Sequence, residues 1–263
     1  MPNIRPRRMR LWALRCGGER VPASLLDPRA GARGRPVFLP YFLYVIDSPA
    51  GIVLFDCGAH TDFALPGSAR HETTGSSQII VGATDGLGSV LARIDLSPAA
   101  VDVVVLSHLH YDHCGGLAQL PSAEVHVGRG ELEFATAPTA DQRDAYSTAD
   151  FGSVAPERWK LADEEHDLFG DGSLVIVPTP GHTPGHIALL VRLPHQTLLL
   201  AGDAAYEREA IRRRRLPGFL FDAASVVSSW QKLEELERSE GAEIILTHEV
   251  QPDAKLGPAE YYD

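Results

Sequence analysis

Residues 107–116 read Ser-His-Leu-His-Tyr-Asp-His-Cys-Gly-Gly and follow the apolar run 101–106, Val-Asp-Val-Val-Val-Leu. The run has the character of a strand buried on both faces. Three histidines and an aspartate fall within the next few positions. A packed core would have to neutralise and hydrogen-bond all four, and each polar group left unpaired costs about 2–7 kcal/mol. A divalent metal removes that cost, because neutral imidazole and carboxylate are the ligands zinc takes. In a tight loop at a strand end, His108 and His110 can face one point. Asp112 and His113 can face a second point a few ångströms away.

The same arrangement recurs along the chain. A strand over residues 174–177 leads into Pro-Thr-Pro-Gly-His182-Thr-Pro-Gly-His186. A strand over 197–200 ends in Ala-Gly-Asp203-Ala-Ala-Tyr206, and a strand over 242–246 ends in Thr-His248-Glu. Each places a metal-competent side chain in a short loop, and function built from loops at one sheet edge is a common architecture.

Residues 107–116 resemble the His-x-His-x-Asp-His signature of the metallo-β-lactamase superfamily, in the form carried by N-acyl-homoserine lactonases. The similarity extends over roughly residues 37–250. The resemblance implies an α/β fold, the αββα sandwich of two mixed sheets flanked by helices, with metals at one edge between the sheets. It implies that His108, His110 and His182 hold one ion, that Asp112, His113 and His248 hold a second, and that Asp203 bridges them. His186 then supports the site without ligating, and Asp56, in the Asp-x-Gly after residues 51–55, holds neighbouring loops. The oxygen-reducing diiron branch has a carboxylate where this chain has His110, so the expected cofactors are two divalent ions, zinc before cobalt, manganese or iron.

The activity implied is ring opening of N-acyl-homoserine lactones by hydroxide attack on the lactone carbonyl, with Asp112 and Tyr206 as catalytic candidates. In the resembling lactonases a tyrosine at the spacing of Tyr206 hydrogen-bonds the lactone, which a phenol does without ionising at neutral pH. Tyr111 stands where those lactonases often have phenylalanine, so the acyl pocket it lines is expected to be more polar. The alternatives are a glyoxalase II-like thioester hydrolase, another carboxylic or phosphoric ester hydrolase, or a mononuclear iron persulfide dioxygenase. Glutathione recognition calls for cations near the C-terminus, where only Lys255 stands, and the dioxygenase uses one iron on two histidines and an aspartate.

Composition narrows the partners. A formal net charge of −11 argues against a nucleic-acid surface, leaving a small-molecule substrate. No segment approaches the ~18 apolar residues of a membrane span. Three cysteines, Cys16, Cys57 and Cys114, are an odd number outside any C-x-x-C, which fits a reducing, cytoplasmic setting. With no internal repeat or linker, residues 1–263 read as one domain, residues 1–8 being a loose tail or an arm onto a second subunit of a homodimer.

Other segments carry weaker expectations. Residues 9–14 read as a strand and 17–36 as an irregular connection, while 37–47 and 51–56 form a hairpin. A polar loop over 60–82, with His60 and His71, is expected to wall the site. Short helical segments are expected at 88–96 and 130–135, with a strand at 124–127 between them. Residues 187–192 and 197–200 form a hairpin around His195, and 223–238 has the 3-4 spacing of a helix buried on one face. Residues 136–160 carry no readable period, and Arg212–Arg215 is either a solvated basic turn or a rim for an anionic substrate.

Overall fold

The computed structural model describes residues 9–31, 34–65, 68, 77–249 and 260–263. The basic start 1–8, His71 and Lys255 lie outside the described residues. Twelve strands are present among the described residues: β1 (Arg10–Val21), β2 (Val37–Ser48), β3 (Gly51–Phe55), β4 (Gln78–Ile80), β5 (Val103–Val105), β6 (Glu124–Gly128), β7 (Trp159–Ala162), β8 (His166–Asp167), β9 (Leu174–Pro178), β10 (Ile187–Arg192), β11 (Thr197–Leu200) and β12 (Glu243–Ile245). The helices are α1 (Ala23–Leu26), α2 (Leu87–Ala92), α3 (Tyr111–Cys114), α4 (Arg129–Thr136), α5 (Thr148–Phe151), α6 (Arg208–Arg213) and α7 (Ala223–Glu240).

Seven strands form one sheet in the order β4-β1-β2-β3-β5-β6-β7, and five form the other, β12-β11-β10-β9-β8. Both are mixed: β3, β5, β6 and β7 run parallel to one another, as do β11 and β12, while the remaining pairs are antiparallel. The period-2 alternation of strand side chains sorts the core into three layers. Val103 and Val105 of β5 and Ile187, Leu189 and Val191 of β10 meet between the sheets. Val104 points to the opposite side, under Leu87, Val90 and Leu91 of α2. Ala188 and Leu190 point away from the first sheet, onto Val226, Trp230 and Leu233 of α7. This is the expected αββα sandwich.

The hairpin around Pro49 and the strands of the β10–β11 pair fall where the sequence placed them. Helix α2 stops at Ala92, short of the expected 96, where the chain turns and Asp95 takes a left-handed φ of 58°. The larger correction is β1. Residues 17–21, read as irregular, continue the strand past a bulge, since the register with β2 shifts by one residue between Arg15 and Gly18. Two glycines permit it: Gly17 has φ +111°, and a Cβ on Gly18 would lie 2.6 Å from the Leu39 carbonyl oxygen.

Helix α7 carries two ligand loops. The Asp222 side chain caps its first turn by accepting from the Ser225 amide at 2.7 Å, and Gly241, at φ 62°, ends it. From its buried face Trp230 Nε1 donates to the Ala204 carbonyl at 2.6 Å, and Ser229 Oγ donates to the Pro180 carbonyl at 2.6 Å. These two bonds fix the loops bearing Asp203 and His182. No helix among the described residues is long and apolar enough to cross a membrane.

Candidate metal centre

All seven expected ligands are brought to one place, at the ends of β5, β9, β11 and β12. Each is buried, from His108 and His113, fully enclosed, to Asp112 at 8% exposure. Three overlapping groups offer ligand atoms within 4.8 Å of one another: His108, His110 and His182; His108, His113 and Asp203; and Asp112, His113 and His248. His110 Nδ1 lies 2.8 Å from His108 Nε2 and 3.1 Å from His182 Nε2. Asp203 sits between the halves, its Oδ2 3.2 Å from His248 Nε2 and 3.6 Å from His182 Nε2, its Oδ1 3.4 Å from His113 Nε2.

Electrostatics distinguishes the two halves. Burial lowers the pKa of His108 well below the usual imidazole range and brings His110 and His182 to about 3, so three neutral rings converge. Around the other point, burial opposes charge on His113 and His248, but the carboxylates of Asp112 and Asp203 outweigh it. His113 is raised well above its ordinary value and His248 to about 9. Burial also opposes charge on Asp203, yet His248 and His113 hold it well below the carboxylate range.

The donor set fits a pair of cations. His113 Nε2 and Asp203 Oδ1, which face each other across the centre, are buried with no hydrogen-bond partner among the described residues, a cost metal-free packing would not tolerate. The outward-facing nitrogens of His108, His113 and His248 are engaged instead. His113 Nδ1 lies 2.8 Å from Asp56 Oδ2, and His108 Nδ1 lies 3.0 Å from Ser107 Oγ. His248 Nδ1 donates to the Pro40 carbonyl at 2.8 Å. A proton held on the outward nitrogen leaves the inward lone pair for a metal. Asp56 does hold loops, as expected: it takes the Ser107 amide at 2.7 Å and adopts a left-handed φ of 60°. His186 is one step outside, accepting the Asp203 amide on Nε2 at 3.1 Å with Nδ1 2.8 Å from Thr179 Oγ1. Gly202, at φ +53°, allows this approach, since a Cβ there would stand 2.8 Å from His186 Nε2.

One residue the sequence did not single out braces the metal loops. Glu131 of α4 is fully buried, and burial pushes its carboxyl up while its donors pull it back. Its Oε1 accepts from the Leu109 amide at 2.9 Å and from Tyr146 Oη at 2.9 Å. Its Oε2 accepts from Thr183 Oγ1 at 2.5 Å and from the Gly185 amide at 3.3 Å. It therefore links the loop of His108 and His110 to the loop of His182. The segment 136–160 completes this bracing: Tyr146 packs edge-on against His110 at 4.6 Å, and Gln142 Nε2 donates to the His182 carbonyl at 3.1 Å.

A cavity of about 220 Å³ opens onto the centre, lined by His110, Asp112, Asp203 and His248 together with Tyr206, Tyr111 and Glu19. Tyr206 is 6% exposed, stacks on His248 at 5.8 Å, and makes no hydrogen bond among the described residues. Tyr111 Oη donates to Glu19 Oε2 at 3.1 Å. Of the 60–82 segment, Ser77 reaches this wall, whereas His60 instead accepts the Asp62 amide at 3.1 Å. Arg213, Arg214 and Arg215 pair with Glu209, Glu234 and Glu207, and Arg215 lines an adjoining cavity that shares Leu39, Tyr206 and His248 with this one, so these arginines are engaged by neighbouring glutamates rather than held free for an anion. Cys57 and Cys114 are enclosed, their thiols donating to the carbonyls of His113 and Leu109. His126 pairs with Glu124 on β6, and His166 and His195 are exposed.

The Metallo-beta-lactamase superfamily profile matches residues 37–248. The chain is 33% identical over 267 residues to the N-acyl homoserine lactonase AttM of Azorhizobium caulinodans, covering 97% of this chain and 99% of that one. A solved N-acyl homoserine lactone hydrolase, with N-hexanoyl-L-homoserine at its catalytic metal centre, superposes with TM-score 0.83 at 23% identity, over 97% of this chain and 99% of that chain. The dizinc quorum-quenching lactonase AidC superposes with TM-score 0.69 at 16% identity, over 98% and 94%. Because the profile runs from the start of β2 to His248, through every residue of the candidate centre, the chain belongs to the metallo-beta-lactamase superfamily.

Proposed function

We propose that residues 1–263 form one hydrolase domain that opens the ring of N-acyl-homoserine lactones. The observation that carries this is the position of Asp203, within 3.6 Å of ligand nitrogens on both halves of the centre. In this reading His108, His110 and His182 hold one ion, Asp112, His113 and His248 hold the other, Asp203 bridges them, and zinc occupies both. When bound, such a pair supplies Lewis acidity, polarising a carbonyl and lowering the pKa of coordinated water from about 15.7 to about 7.

The chain supplies orientation and protons. Burial raises the Tyr206 phenol well above its ordinary pKa, so it keeps its proton and donates a hydrogen bond to the lactone carbonyl or ring oxygen. Asp112 lines the same cavity, with Oδ2 3.3 Å from His113 Nε2 and 3.5 Å from His248 Nε2. Burial opposes its charge, but His113 and His248 favour the charged form. We therefore assign to this carboxylate a relay: it takes the proton given up by the attacking water as the new C–O bond forms, and passes it to the ring oxygen as the ring C–O bond breaks. Asp141 and Asp144 add further carboxylates to the cavity wall, which disfavours the anionic thioesters and phosphodiesters of the competing readings. The complete second group disfavours the single-iron dioxygenase. Three enclosed, unbridged cysteines support a reducing, cytoplasmic setting.

Tyr206→Phe is the test of the lactone assignment. Removing one transition-state donor is expected to lower kcat about 100-fold. Metal content, measured by elemental analysis, is expected to stay at the wild-type value. Equal turnover in the variant would remove Tyr206 from the reaction.

A further inference from the structure

Glu19 is a carboxylate only 7% exposed, set in the wall of the reaction cavity and outside the ligand set. Its position follows from the β1 bulge. The extra residue between Arg15 and Gly18 reverses the alternation, so Glu19 falls on the sheet face of Leu14 and Cys16, opposite Leu39. Bulges beside active sites re-aim a side chain in this way. Leu39 lines the cavity with it, and Tyr111 and Ser77 reach its carboxylate with their hydroxyls. Burial, then the nearby Asp112 carboxylate, push Glu19 up to about 7.

A carboxylate in such a wall constrains what can lie against it. A plain hydrocarbon chain would strip its water and return no hydrogen bond, whereas a hydroxyl would replace the water it displaces. A site built to hydrogen-bond a substrate hydroxyl discriminates strongly against the analogue lacking it. The cavity is small. Glu19 shares its wall with Asp112, Tyr206 and His248, so a group meeting Glu19 lies only a few bonds from the lactone.

Resting on the lactonase reading above, we propose that Glu19 is a specificity-determining residue. With Tyr111 as its partner it accepts a hydrogen bond from a hydroxyl on the acyl chain close to the amide. The preferred substrates are then hydroxyacyl lactones, with plain acyl lactones handled less well. Leu25, Leu39 and Phe219 supply the apolar remainder of the wall.

The experiment compares kcat/KM for N-(3-hydroxyhexanoyl)-homoserine lactone and N-hexanoyl-homoserine lactone in the zinc-loaded enzyme. Wild type is expected to prefer the hydroxylated substrate about tenfold or more. Glu19→Leu is expected to bring the ratio to within about threefold of unity, and Glu19→Gln, whose amide oxygen still accepts, to retain most of the preference. Because the ratio is taken within one protein, partial loss of fold leaves it unmoved. Should Glu19→Leu fail to fold, the wild-type ratio and Glu19→Gln still decide. A wild-type ratio near unity, or a preference that survives in Glu19→Leu, would overturn the role of Glu19 while leaving the lactonase reading intact. Failure of wild type to open either lactone would overturn that reading and this inference with it.

Discussion

Asp203→Asn is expected to lower lactone opening by more than about 100-fold and to cost at least one of the two metals. Loss of an outer partner of a ligand already costs about 10–100-fold in metal affinity or activity, and Asp203 stands inside that shell. Its carboxylate approaches His113, His182 and His248 at 3.4, 3.6 and 3.2 Å, so it is the only carboxylate of the set placed to touch both halves. Asparagine keeps the shape but removes the negative charge and turns an amide N–H₂ toward cations. In the metal-free protein the same change leaves His113 and His248, whose charged forms Asp203 stabilises, short of a counter-charge. Breaking a buried pair from one side costs about 3–5 kcal/mol, so the apo-protein should also melt earlier. Elemental analysis alongside the hydrolysis rate decides the matter. Two ions retained with a rate within threefold of wild type would contradict the bridging role.

The second large effect is expected far from any substrate contact. Glu131→Ala removes the acceptor for the Leu109 and Gly185 amides and for the Tyr146 and Thr183 hydroxyls, all enclosed by protein. Each orphaned buried donor costs about 1–3 kcal/mol, though neighbouring losses do not simply add. A total of about 3–5 kcal/mol is expected. At roughly 2–4 °C per kcal/mol for a chain of this size, the melting temperature should fall about 10 °C. Metal affinity should fall too, because Leu109 lies between His108 and His110 and Thr183 directly follows His182. Glu131→Gln keeps one acceptor oxygen and should fall between the two. Thermal melts with and without chelator separate the fold effect from the metal effect, and a loss below about 1 kcal/mol would show that the loops hold without the brace.

The contrast between these two residues explains how much of the site was legible in the sequence. Asp203 was readable because a metal-competent carboxylate just after an apolar strand is a local signal, in Ala-Gly-Asp-Ala-Ala-Tyr, and the family resemblance then marked it as the expected bridge. The strands that carry ligands were readable for the same reason, being apolar runs with turn residues at their ends. Glu131 was not, because on α4 it looks like any helical glutamate, and only the approach of the two metal loops makes it a four-fold acceptor. Glu19 was hidden by the fold itself. Two glycines marked the stretch as irregular, whereas they are what let β1 bulge and turn a carboxylate into the cavity. Residues 136–160 lacked a period because they form one-turn helices, and their contribution, Gln142 and Tyr146 against the ligand histidines, is tertiary.

The most direct test of the two-metal lactonase is elemental analysis of the purified chain joined to product analysis with N-hexanoyl-homoserine lactone. The account predicts about two zinc ions per chain and formation of the ring-opened N-hexanoyl-homoserine, both lost on chelation and restored by zinc. One iron per chain, or turnover of thioesters with none of lactones, would contradict it.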